Sequence, residues 1–229
     1  MIDSDSCFAH DTCAIYQKGQ CIPHEFCLKL FKLDALYNEG LLTVPQRNRV
    51  TLRLDADGTD REAFNQLKLI ETDIENFVSR GSNLYIYSNN CGNGKTSWAL
   101  RLIQSFVNKI WHKTDIRCRV LFISVPKFFI MLKDNISERN EYVQHIKANV
   151  QECDLVVWDD IGTKVGTEFE IENLLNIIDY RVNNGKSNIY TSNMNPSQLN
   201  ERVGERLYSR IVNLSYNIEF RGKDKRGIQ

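Results

Sequence analysis

Apolar residues in this chain cluster in two patterns. Short runs at 84–87, 120–124, 155–158, 187–191 and 216–220 are rich in β-branched and aromatic residues and predict five strands. Between them, apolar positions recur every three or four residues and predict helices. The first spans 61–79, with Phe64, Leu67, Ile70, Ile74, Phe77 and Val78 on its buried side, Thr59 or Asp60 as its cap and Gly81 as its stop. A second spans 96–113, burying Ala99, Leu102, Ile103, Phe106 and Ile110, with Trp98 and Trp111 assigned to the core. Others open at Pro126, cover 138–151 and 168–182, start near Pro196 and lie around 204–210. Strands alternating with helices imply an α/β fold: a five-stranded, mostly parallel sheet covered on both faces. Ahead of it, Phe26, Leu28, Leu30, Phe31, Leu33, Leu36 and Tyr37 predict a helix over 25–38 that stops near Gly40. Residues 41–54, with Pro45 and alternating Val50, Leu52 and Leu54, suggest an extended linker, and 55–58 a turn. The expected division is an N-terminal module, 1–54, and a core, 55–229.

Candidate chemistry sits at the carboxyl ends of the strands, where such sheets bind ligands. The first strand runs into Asn89-Asn90-Cys91-Gly92-Asn93-Gly94-Lys95-Thr96-Ser97 and restarts as a helix. Such a loop aims backbone N–H groups at an anion, while Lys95 reaches the β/γ-phosphates and Thr96 holds Mg²⁺. Asn89 stands where the first glycine of the phosphate-loop pattern is usual, and asparagine tolerates positive φ better than most residues. The strand at 155–158 ends in Asp159-Asp160. Alternate side chains face opposite ways, so Asp159 is expected at the Mg²⁺, bound directly or through water, and Asp160 at the attacking water. An aspartate there is short, which implies modest turnover. Thr191-Ser192-Asn193 ends the next strand, and Asn193 is expected to position water and sense the γ-phosphate. Arg206 and Arg210, four apart, share a helix face and offer a cation to the transferring phosphoryl group or to a surface ion pair.

Composition changes the picture little. The 229 residues carry no formal net charge, which gives no support for nucleic-acid binding. The end of the chain is locally basic, with Arg202, Arg206, Arg210, Arg221, Lys223, Lys225 and Arg226 against Glu205, Glu219 and Asp224. No apolar run reaches the roughly 18 residues of a membrane span and the start does not read as a signal peptide, so a cytoplasmic location, with no membrane contact, is expected. Of seven cysteines, Cys7, Cys13, Cys21 and Cys27 fall together, separated by five, seven and five residues. Zn²⁺ held by these four would supply folding energy that so short and polar a segment lacks. The spacing is wider than usual within a ligand pair, and His10 or His24 could replace a thiolate; free thiols, an iron–sulfur cluster or disulfides are the alternatives.

Taken together, Gly92–Thr96, Asp159-Asp160-Ile-Gly162, Thr-Ser-Asn193, Gly204-Glu-Arg-Leu-Tyr-Ser-Arg210 and Gly222-x-Asp224-x-Arg226 resemble the DnaC-like family of AAA+ ATPases. That family includes bacterial and phage helicase loaders and the IstB-like transposition helpers. The resemblance covers about residues 60–229 and implies an AAA+ P-loop ATPase core with ATP and Mg²⁺ as cofactors. It implies that Arg210 acts as an arginine finger on ATP held by an adjacent subunit and that Arg226 is a sensor 2-like arginine. No helical lid is expected after Arg226. The cysteine-rich start resembles modules of phage-encoded DnaC-like replication proteins. The function implied is that of an ATP-dependent homo-oligomer placing a replicative DNA helicase hexamer on single-stranded DNA; the alternative is an IstB-like ATPase regulating a transposase on duplex DNA.

Overall fold

The computed structural model describes residues 25–48, 50, 52, 58–137 and 139–225; the side chains of 25–30, 136 and 137 are outside the description. Its elements are α1 (Glu25–Glu39), α2 (Val44–Arg47), α3 (Arg61–Thr72), α4 (Ile74–Ser79), β1 (Asn83–Tyr87), α5 (Lys95–Ile110), β2 (Val120–Ser124), α6 (Val125–Ser137), α7 (Glu141–Asn149), β3 (Leu155–Asp159), α8 (Glu168–Asn183), β4 (Ser187–Ser192), α9 (Pro196–Val203), α10 (Glu205–Tyr208), a π-helical turn (Ser209–Asn213) and β5 (Tyr216–Glu219). The strands form one sheet in the order β2-β3-β4-β1-β5, and every neighbouring pair is parallel.

The period-2 alternation of strand side chains divides the core in two. Leu84, Ile86, Val120, Phe122, Leu155, Val157, Ile189 and Ile218 face α1, α3, α4 and α5. Tyr85, Leu121, Ile123, Val156, Trp158 and Tyr190 face α6 through α10 and the π-helical turn. Trp98 is fully buried and meets Phe64 edge-on, with ring centroids 4.7 Å apart, whereas Trp111 packs part-buried at the rim. At the amino ends of β1 and β4 two backbones close on each other. A Cβ on Gly81, whose φ is +66°, would lie 2.3 Å from the Gly185 carbonyl oxygen, so only glycine fits.

Two local expectations need correction, and a third holds for a different physical reason. The helix over 61–79 is two helices, because Asp73 leaves helical geometry (φ −109°, ψ 27°) and its carboxylate accepts from Asn76 Nδ2 at 2.7 Å. Residues 41–54 are not simply extended: Pro45 sits in the first turn of α2, and Gln104 Nε2 donates to the carbonyls of Gln46 (2.9 Å) and Asn48 (2.8 Å). Gly40 stops α1, but not through a positive φ, which falls on Leu41 instead (61°). Glycine is needed at 40 because a Cβ would approach the Val120 carbonyl oxygen to 3.1 Å, while the Gly40 carbonyl accepts Phe122 N–H at 2.9 Å. Leu33, Leu36, Tyr37 and Leu42 belong to the same apolar cluster as Leu67 and Leu102, so α1 rests directly on the layer formed by α3 and α5.

Candidate active site

The site is built where β1 meets α5. Residues 88–94 turn the chain, with Gly92 (φ 70°) and Gly94 (φ 106°) supplying left-handed geometry and Gly94 capping α5. Asn89 needs no glycine geometry: among the described residues, the non-glycine residues at positive φ are Leu41 and Asp160. Asn93 is the internal strut of the loop. Its Nδ2 donates to Ser88 Oγ at 2.7 Å, and its Oδ1 accepts from Lys95 Nζ at 3.1 Å. Lys95 Nζ also donates to the Asn90 carbonyl at 2.8 Å, which folds this buried side chain back over the loop. Asn89, Asn90 and Cys91 are exposed and Ser97 is half-buried at the helix start.

Parallel pairing carries the carboxylates to this turn. Trp158 pairs with Tyr190, which sets Asp159 beside Thr191. Thr191 Oγ1 donates to Asp159 Oδ1 at 2.6 Å and accepts the Asp160 N–H at 3.0 Å. From the other side, Thr96 Oγ1 donates to the same Asp159 oxygen at 2.9 Å. The structure thus brings together Lys95, Thr96 and Asp159. Burial pushes the Asp159 carboxyl up to about 6; the two hydroxyl bonds and the Lys95 charge oppose this, and the neighbouring Asp160 charge adds to it. Asp160 adopts left-handed geometry (φ 59°), and Asn193 Nδ2 donates to its Oδ1 at 3.4 Å. Two hard oxygen donors, one a 7 %-exposed carboxylate raised above its ordinary range, fit a small divalent cation such as Mg²⁺.

Two features of the site do not announce themselves in the sequence. Thr191 reads there only as a strand end, yet its hydroxyl ties both acids together. Asp60 reads as a helix cap; by position it is one, but its buried carboxylate makes no cap bond. It accepts instead from the backbone N–H groups of Arg221 (2.7 Å) and Gly222 (3.0 Å). Asn90 Nδ2 donates to the carbonyls of Arg221 (3.1 Å) and Gly222 (3.2 Å), and Lys225 N–H reaches the Gly92 carbonyl at 2.9 Å. The segment after β5 is therefore laced to the outside of the phosphate loop.

Other expected groups stand elsewhere. Arg210 lies in the π-helical turn, half exposed, and its Nε donates to Asp179 of α8 at 2.5 Å; Arg206 is exposed on α10. Arg226, Cys7, Cys13 and Cys21 fall outside the described residues, and Cys27 lies in α1 with its side chain outside the description. Among the described residues no cluster of three or more potential metal ligands occurs, and no helix is long and apolar enough to cross a membrane.

A phosphate loop after β1, which lies between β4 and β5 in the sheet, faced by acids at the end of β3, defines an ATP-hydrolysing AAA+ ATPase. Residues 65–215 match the bacterial DnaA ATPase domain, and the chain belongs to that family. No curated protein sequence matches it. Among solved structures it is similar to a DnaC helicase loader (TM-score 0.59, 21 % identity, 75 % of this chain and 93 % of that one). It is similar too to a putative primosome component from Streptococcus pyogenes serotype M3 (0.62, 21 %, 84 % and 98 %). A replication initiator DnaA bound to AMPPCP and single-stranded DNA gives 0.57, 21 %, 81 % and 52 %. The family shown is thus that of the DnaA ATPase domain, and the DnaC helicase loader and the primosome component share its fold.

Proposed function

We propose that this ATPase is a DnaC-like helicase loader in DNA replication, acting in the cytoplasm of a bacterial or phage-infected cell. What supports the reading is the likeness in fold to a DnaC helicase loader and a primosome component, together with the motif set Gly92–Thr96, Asp159-Asp160, Asn193 and Arg210, which resembles the DnaC-like family. In this reading the loop Asn89–Ser97 holds the triphosphate, and Lys95 moves from the Asn90 carbonyl to the β/γ-phosphates. Thr96 and Asp159 hold Mg²⁺, which when bound draws charge from the phosphate oxygens. Asp160, pinned by Thr191 and Asn193, orients water, and Asn193 registers the γ-phosphate. Arg210 leaves Asp179 to reach ATP on an adjacent subunit, and Arg226 adds a sensor 2-like cation. Nucleotide then controls a homo-oligomer, because a phosphate bridging two subunits stabilises their interface until it is cleaved. Turnover is modest.

Residues 1–54 are the proposed docking module for a replicative helicase hexamer, with Zn²⁺ on Cys7, Cys13, Cys21 and Cys27. Contact with single-stranded DNA is phosphate-directed and salt-sensitive. Because Leu33, Leu36, Tyr37 and Leu42 pack into the core, the informative truncation removes residues 1–24 only. Pull-down of the helicase hexamer should succeed with the full chain in ATP and fail after that deletion, with ATPase activity retained. Equal recovery by both proteins would remove the docking role. Retention on a transposase and duplex DNA, with no helicase recovered, would favour the IstB-like alternative.

A further inference from the structure

We propose that Cys118 and Cys153 form an oxidisable dithiol, a peroxide-responsive modification site at the amino ends of β2 and β3. Val120 and Leu155 are partners in the parallel β2–β3 register. Just ahead of that pair the Asp154 N–H donates to the Arg119 carbonyl at 2.9 Å, so Cys118 and Cys153 each stand one residue before a bonded pair of neighbouring backbones. Neighbouring strands lie about 4.8 Å apart, inside the Cα separation of about 4.4–6.8 Å that a disulfide bridges. Both thiols are free and buried, in one apolar cluster on the same face of the sheet. Cys118 Sγ also donates to the carbonyls of Val120 (3.3 Å) and Glu39 (3.4 Å). A cation completes the group: Arg181 Nη1 donates to Cys153 Sγ at 3.5 Å.

This asymmetry assigns roles. Burial raises the Cys153 thiol, but the neighbouring Cys118 thiol and the Arg181 charge bring it below its ordinary value. Cys118 is raised, first by Cys153 beside it and then by burial. Cys153 is therefore the attacking thiolate and Cys118 the resolving thiol. The Cys153 sulfur attacks one oxygen of hydrogen peroxide; an S–O bond forms, the O–O bond breaks, and the departing hydroxide takes a proton to become water. The Cys118 sulfur then attacks the Cys153 sulfenic sulfur. An S–S bond forms, the S–O bond breaks, and the second water leaves with the Cys118 proton. Two thiols have lost two electrons and two protons, and one peroxide has become two waters.

The test uses the full chain, oxidised with hydrogen peroxide, alkylated without reduction, digested and mapped by mass spectrometry. A Cys118–Cys153 linked peptide that dithiothreitol releases is expected, together with a melting temperature raised by about 5–10 °C over the reduced protein. In Cys118→Ala the link and the shift should vanish, and dimedone should trap the sulfenic acid on Cys153. The proposal is overturned if both cysteines stay alkylatable while exposed Cys91 oxidises, or if Cys153 pairs only with other cysteines. Should Cys118→Ala not fold, the wild-type peptide map decides alone.

Discussion

The two ends of the sheet treat a buried charge in opposite ways. At the amino end Arg181 is fully buried, and its guanidinium is met on every side. Nε donates to Asn188 Oδ1 (2.8 Å), Nη1 to the carbonyls of Val150 (2.6 Å) and Cys153 (2.9 Å), and Nη2 to that of Ser187 (2.6 Å). At the carboxyl end Asp159 is nearly as buried but receives two hydroxyls on one oxygen, and its carboxyl rises to about 6. The first end is closed electrostatically and supports the fold. The second holds a carboxylate whose burial is only partly compensated, which is the property the proposed Mg²⁺ site requires.

This contrast can be broken from either end. The largest effect is expected for Asp159→Asn, which should lower Mg²⁺-dependent ATP hydrolysis by about 10²–10³-fold, read as steady-state phosphate release. The same substitution should leave the apo protein more stable at pH 8, by about 2 kcal/mol in urea unfolding. The sign follows from the raised carboxyl: its contribution favours folding below the ordinary carboxylate range and is lost as the pH rises through about 6. Arg181→Leu should do the reverse, costing about 3–5 kcal/mol of stability by orphaning several buried oxygens. Because protons compete for Asp159, Mg²⁺ affinity should fall about tenfold per pH unit below 6, measured by titration calorimetry with ATP present. Thr191→Val should cost about 1–3 kcal/mol by leaving the Asp160 N–H unpaired, and should slow turnover with it. The smallest effect is for Asp160→Gly, which should stabilise by about 1 kcal/mol by relieving left-handed geometry while lowering turnover.

How much of this was legible beforehand follows from what each feature depends on. Strands buried on both faces read as apolar runs, which marks β1 to β4, and the exposed edge strand β5 also falls within a residue of its expected bounds. Lys95, Thr96 and Asp159 were legible because a loop-helix turn and a strand end are local patterns. Thr191 was not. Its role depends on the β3–β4 register, and no spacing within one strand reveals that register. Asp60 was hidden for a related reason, since its partners lie 161 and 162 residues away. The break at Asp73 carried a weak signal, an acid in mid-helix, which the strong apolar periodicity on either side outweighed. The resting place of α1 was half legible: Leu33, Leu36 and Tyr37 announce an apolar face, but only the fold shows which surface receives it.

The carbonyl of Gly40 has one more implication. By taking the Phe122 amide, it removes from the outer strand β2 a hydrogen that an incoming chain would need to extend the sheet. Growth by edge-to-edge addition is blocked on that flank. In the proposed oligomer, copies would meet on that flank through side-chain surfaces, and such contacts can be dissolved without unzipping a backbone ladder.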